Sequence, residues 1–215
     1  NDYDKLATGT LAGHILECGA QCSGGNFSNW KDVPNLDSVG YPIATISDST
    51  TFTVSKDSKS GGLINKHTVI EQVLYEMGDP SYYISPDVVV DFTSFKINEL
   101  SNNVVQISNI KGYKPTDAYK VSINYFNGYK ASSQLTISGP DALDKAKLTS
   151  EIIWKRLENA GIYFDDKLTE YLGFSSCHGI KIPNNKYECN EIVLRMSVRD
   201  NDKNKLIRFG KELAP

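Results

Sequence analysis

From Gly139 to Gly161 the chain carries its most restrictive signal. Ala142, Ala146, Thr149, Ile153, Leu157 and Ala160 recur at helical spacing between a Gly-Pro-Asp start, with Pro140 expected at the first helical position, and a glycine stop. A helix of this kind has one apolar stripe, and that stripe must be covered by a second layer. Strand patterns stand on both sides of it. Upstream, Val121, Ile123 and Tyr125 alternate with Ser122, Asn124 and Phe126; Asn127-Gly128 then offers a two-residue turn, so a hairpin returning through Leu135 and Ile137 is expected. Downstream, Ile192, Leu194, Met196 and Val198 alternate with Val193, Arg195, Ser197 and Arg199, before a helix from about Lys203 to Glu212 with Leu206, Phe209 and Leu213 inward. This order predicts a two-layer α+β sandwich over about residues 116–215.

The preceding part yields to the same patterns. Leu11, Ile15 and Cys18 lie on one face of a helix from Asp4 to about Gln21. Gly9 and Gly13 inside it cost roughly 1 kcal/mol each relative to alanine, which predicts another backbone packed close against them. Pro42 to Ser47 and Thr51 to Ser55 read as strands with Ile46, Phe52 and Val54 in the core, and Thr68-Val69-Ile70-Glu71 reads as a capping box opening a helix that stops at Gly78. Val88 to Phe92 is apolar enough to be buried on both faces, and Phe95, Ile97, Val105 and Ile107 flank a polar turn at Ser101 to Asn103. The expected class is α/β to α+β, a mixed sheet with helices packed on its faces.

A formal charge of -3 without a basic face argues against nucleic acid as a partner. Apolar runs such as Val88-Val89-Val90 fall far short of the roughly 20 residues that span a bilayer, so no membrane is expected. Four sparse cysteines predict reduced thiols and a cytoplasmic setting, or a mitochondrial one if a targeting segment lies in a missing N-terminal part. The entry almost directly from Asn1 into a helix suggests a piece of a longer protein.

Gly13 to Phe27, GHILECGAQCSGGNF, is the stretch densest in reactive side chains. His14, Glu17 and Cys18 stand at i, i+3 and i+4, so all three can face one locus. Glu17 could orient His14 as an acid or base, or His14 could keep Cys18 as a thiolate nucleophile. The plainer alternative is a core thiol beside a weak helix-surface pair. Gly24-Gly25-Asn26 and Gly61-Gly62 could bind a phosphate or carboxylate through backbone N–H groups, or serve turn geometry alone. Neither is a P-loop nor a dinucleotide fingerprint, so no cofactor is expected. Asp117 and Lys120 stand at the mouth of the expected strand Val121 to Tyr125, as a cleft pair or a solvated one. His14, Cys18 and Cys22, with Cys177-His178 and Cys189 as a second half, have poor zinc spacing, so no metal is expected.

Several segments in order carry a resemblance. They are Asp4-Lys5-Leu6-Ala7 with Gly9, Ala12 to Gly19, Gly24 to Phe27, Asp32-Val33-Pro34, Gly40 to Ala44, Gly61-Gly62-Leu63, Glu71 to Glu76, Asp79-Pro80, Pro86 to Val89 with Asp91-Phe92, and Pro115-Thr116-Asp117 with Lys120-Val121-Ser122. Together they resemble the acyclic terpene utilisation (AtuA-like) family, collinearly until about Asn159. Its pattern includes His14, Glu17 and Cys18, whereas Cys22 stands at a variable position. The resemblance implies a longer protein, with residues 1–115 as the C-terminal portion of an α/β domain, 116–215 as its α+β portion, and a missing N-terminal half as a partner. It also implies catabolism of acyclic terpenes and branched acyl-CoA compounds, often beside biotin-dependent carboxylases. The expectation is an enzyme component acting on a branched or isoprenoid acyl-CoA or related carboxylate by hydration, elimination or proton transfer. His14 and Glu17 would be acid and base, and the glycine loops would bind the oxyanion or phosphate. The rival is a noncatalytic scaffold subunit with the glycine-rich helix as its packing surface. A homo-oligomer is expected in either case.

Overall fold

The first helix, α1 (Tyr3–Glu17), begins where the Asp2 carboxylate accepts the Lys5 N–H at 3.2 Å. The computed structural model describes residues 2–48, 50–174, 176–177 and 189–213. Contacts divide the chain into two units, Asn1–Ser122 and Ile123–Pro215. The secondary structure is of the expected α+β kind, and the three sheets are antiparallel throughout. No helix among the described residues is long and apolar enough to cross a membrane.

In the first unit α1 is the centre of the core. Ala7, Leu11, Ala12 and Ile15 are buried on it, packed with Phe52, Val54, Val69, Val90 and Ile107. One sheet contains β1 (Pro42–Ile46) and β2 (Thr51–Lys56), which form the hairpin that alternation predicts. Ile46 departs from expectation: it ends an edge strand and is 55% exposed, although its partner Phe52 is fully buried. The helix α2 (Lys66–Val73) starts earlier than the Thr68 box predicts, because Asn65 is the cap and Thr68 its reciprocal partner. It also stops earlier, at Val73. A small sheet pairs β3 (Tyr83–Ile84) and β4 (Val89–Asp91) with a later strand; β5 (Lys96–Ser101) and β6 (Val104–Ser108) complete the first sheet in the order β1-β2-β6-β5. The small sheet closes with β7 (Lys111–Tyr113).

Gly9 and Gly13 overturn the close-packing expectation. Both are exposed, and a Cβ added to either meets nothing within 4 Å. The close approach occurs at Gly112 of β7, where a Cβ would lie 2.0 Å from the Tyr3 carbonyl oxygen. Asp4 secures that crossing, accepting the Gly112 N–H at 3.0 Å and Lys111 Nζ at 2.7 Å.

The second unit is the two-layer sandwich. Its strands are β8 (Tyr129–Ser138), then, after α3 (Ala142–Asn159), β9 (Asp166–Leu172) and β10 (Glu191–Asp200), in the spatial order β8-β10-β9. Ile192, Leu194, Met196 and Val198 of β10 are buried as alternation predicts, packed with Ala146, Ile153 and Leu157 of α3 and with Leu206 and Phe209 of α4 (Lys203–Glu212). Pro140 is not the first helical residue; it forms a cis bond with Gly139, and Asp141 is the cap of α3. Glu212 joins the helices: its buried carboxylate accepts Arg156 Nε at 2.6 Å and also pairs with Arg208.

The expected hairpin does not form, and residues 114–128 carry no strand. The physical reason is register. A two-residue turn at Asn127-Gly128 would set Ile123 opposite Ser132 and Tyr125 opposite Lys130, on the face away from Ala131, Leu135 and Ile137, which pack against the core.

Gly9→Ala should raise thermal stability by about 0.5–1 kcal/mol, since alanine suits an open helix interior. Gly61→Ala should lower it by on the order of 1–3 kcal/mol, because its Cβ would lie 2.0 Å from the Asn35 carbonyl oxygen. Equal effects in calorimetry would refute this ordering. Arg156 first, with burial opposing and Arg208 helping, holds the Glu212 carboxyl below its ordinary value of 4.5. A depressed carboxyl stabilises the fold above its unfolded value and loses that contribution as pH falls through its folded value. The melting temperature should therefore drop at acid pH below about 4.5, and less steeply in Arg156→Ala.

Candidate functional site

His14 occupies the last turn of α1, and the following helix decides what its ring can do. Val69, Gln72 and Val73 form the buried side of α2, so Gln72 brings an amide into the core. Gln72 Nε2 donates to the His14 carbonyl at 2.9 Å, and His14 Nε2 lies 3.1 Å from the Val73 carbonyl. A carbonyl only accepts, so in the neutral ring the proton sits on Nε2 and Nδ1 carries the lone pair. The ring stands against Phe92 and Tyr83, with centroids 5.6 and 6.1 Å away, and those two rings stack at 5.0 Å.

Nδ1 is buried without a hydrogen-bond partner, yet Glu17 Oε2 lies 3.5 Å away. That separation is within ion-pair reach and too long for a good hydrogen bond. The His14 side chain is 7% exposed and that of Glu17 66%, so the pair spans the boundary between core and solvent. Gln72 Oε1 is a second buried acceptor with no partner.

Cys18 caps α1 and is half-buried. Among the described residues no hydrogen bond joins it to His14. Its neighbour is Tyr75, whose phenol is pushed above its ordinary value by the charge of Glu76 first and of the Cys18 thiolate second. Cys22 is fully buried, and burial pushes its thiol up to about 12. No group of three or more His, Cys, Asp or Glu side chains among the described residues could hold a metal; His178 lies outside them.

The glycine segments form a knot. Gly24 N donates to Gln21 O, Gly25 N to Ala20 O, Gly61 N to Ser38 O and Gly62 N to Pro34 O, at 2.8–3.0 Å. An anion at these four donors would have to displace backbone bonds. Gly24 and Gly62 have φ of 90° and 98°, and a Cβ on Gly62 would lie 2.7 Å from the Ser23 carbonyl oxygen. Asn26 is exposed in the adjoining turn, and Ser28 Oγ donates to Glu71 Oε1 of α2 at 2.5 Å. The structure therefore brings His14 and the loop after α1 against α2, with Glu17 beside His14 and Cys18 near Tyr75. Asp117 and Lys120 do not stand at a strand mouth; both are exposed in the irregular stretch 114–128, with no ion pair between them.

Beside α2 runs an apolar groove of about 300 Å³ lined by Ile70, Val73, Leu74, Pro80, Phe92, Thr93, Phe95 and Ile97. It shares Val73 and Phe92 with the surroundings of His14. Sequence patterns missed Gln72 and Tyr75 as site residues; the usable signal was a glutamine at a core position of a helix, which demands a partner.

A family model described as acyclic terpene utilisation family protein AtuA matches residues 1–215. The chain belongs to the acyclic terpene utilisation family. No curated protein and no solved structure matches it. Membership ties the protein to acyclic terpene utilisation at the level of the family's name, and it covers the whole of the α1–α2 site.

Exposure and burial predict the thiol chemistry of this family member. In the native protein Cys18 should be alkylated by iodoacetamide at least about 100-fold faster than Cys22, which peptide mapping reads directly. Comparable rates would contradict the sealed position of Cys22.

Proposed function

We propose that the protein acts in the breakdown of acyclic terpenes on a branched or isoprenoid acyl-CoA or related carboxylate, moving a proton through Glu17. One observation carries this reading: the apolar groove and the His14–Glu17 pair share a wall, formed by Val73 and Phe92. A branched hydrocarbon suits the groove's lining, which among its eight residues has one hydroxyl, that of Thr93. Proton exchange suits the pair. Glu17 is the solvent-facing member and would take or give the proton at its carboxylate; protonated, its O–H can donate to the unpartnered Nδ1 lone pair. His14, fixed by Val73 and sealed from solvent, holds Glu17 in place rather than meeting substrate. Hydration, elimination and α-proton exchange all need such a group.

The scaffold alternative is favoured by a different observation. Leu6, Gly9, Gly13 and Leu16 lie on one exposed stripe of α1, open enough for a partner's backbone to approach. Enlarging Gly13 to leucine would then abolish a co-purifying complex while leaving any turnover intact.

The test is turnover of branched and straight-chain acyl-CoA by the purified protein, read by mass spectrometry for gain or loss of water and for deuterium taken up from solvent. Glu17→Gln should lower kcat by about 10²–10⁴-fold with little change in KM. Absence of turnover on every acyl-CoA, or full activity in Glu17→Gln, would remove the proposal.

A further inference from the structure

In the second unit β8 and β9 run parallel with β10 inserted antiparallel between them, and α3 joins the two: a split β-α-β unit. Strand β10 followed by α4 begins a second such unit. Its closing strand belongs on the far side of β8, antiparallel to it, because crossovers of this kind are right-handed. α4 already packs over β8 as well as β10. Among the described residues no strand occupies that lane; β8, ten residues long, has β10 as its one strand neighbour.

An unpaired edge of that length is a template for another strand. The chain also carries an unpaired strand pattern. Tyr119, Val121, Ile123, Tyr125 and Phe126 are 71–79% exposed in a stretch with no secondary structure, and Lys120 is the one charge between Ala118 and Gly128. In its own chain a two-residue turn at Asn127-Gly128 would impose the register that points Val121, Ile123 and Tyr125 away from the helices. A strand from another molecule is free of that turn.

We propose that Val121–Phe126 of one copy adds as the fourth strand at the β8 edge of a second copy, and reciprocally. The register is Val121 opposite Leu135, Ile123 opposite Ser133 and Tyr125 opposite Ala131. This turns the three apolar side chains toward the layer of α3 and α4, where Ala131, Leu135 and Ile137 already pack. Each copy offers one donor strand and one acceptor edge, so the exchange closes on a two-fold axis as a dimer.

The same register sets Ser122 opposite Gln134 on the outer face. In protein with Cys18, Cys177 and Cys189 replaced by serine, Ser122→Cys combined with Gln134→Cys should oxidise to a covalent dimer on a non-reducing gel. A link within one chain, or no link, overturns the proposal. Independently, sedimentation of the native protein should give twice the chain mass, and Ile123→Pro should raise the dimer's dissociation constant at least about tenfold without shifting the melting of the monomer. Native protein of single-chain mass, or a dimer indifferent to the proline, also overturns it; both outcomes cover a lane filled from the same chain or by an unrelated partner.

Discussion

The first unit depends on a reciprocal pair of buried hydrogen bonds between α1 and α2. Gln72 holds the His14 carbonyl, and the Val73 carbonyl holds the His14 ring. A carbonyl in the last turn of a helix has no intrahelical partner, and leaving it buried and unpaired would cost about 1–3 kcal/mol. Gln72 meets that need from within the apolar face of α2. The same contact fixes the rotation of α1, so its apolar face meets Phe52, Val90 and Ile107 while Glu17 emerges into water.

The loop after α1 is held in a different currency, that of steric exclusion. Gly61 and Gly62 lie where a Cβ would meet the carbonyl oxygens of Asn35 and Ser23 at 2.0 and 2.7 Å, and Leu63 N donates to Ser23 O at 2.8 Å. Two distant glycine segments are thus one packed feature. Their N–H groups satisfy neighbouring carbonyls, which explains why a glycine-rich sequence can look like an anion cradle and yet be a backbone crossing.

Periodic patterns were legible in the sequence wherever burial alone decides the structure. α1, the β1–β2 hairpin, β10, α3 and α4 all follow from apolar spacing. What failed depended on information that spacing does not carry. Gly9 and Gly13 resembled close-packing positions, but only three-dimensional placement separates an open glycine from Gly112 against Tyr3. The 121–126 alternation is real, yet its pairing depends on which face of β8 meets the helices. β9 was hidden because its charges are paired across the sheet, Glu170 with Arg195 and Asp166 with Arg199, each at 2.6 Å. At the site, His14 and Glu17 were visible from their spacing; their unequal exposure was not, since it arises from Tyr83 and Phe92, more than sixty residues along the chain.

That unequal exposure bears on how reactivity can be built from a small apolar fold. A histidine sealed behind two aromatic rings is kept from solvent, while the carboxylate beside it stays open to water. Nδ1 is left as an acceptor because the Val73 carbonyl claims the proton on Nε2. Only a donor from the solvent side can satisfy it, and Glu17, when protonated, is the nearest group at 3.5 Å. The Glu17 carboxyl thus stands between a buried, unpartnered acceptor and open water. The apolar groove that shares Val73 and Phe92 runs beside this pair, and the proposal of proton exchange at Glu17 rests on that adjacency.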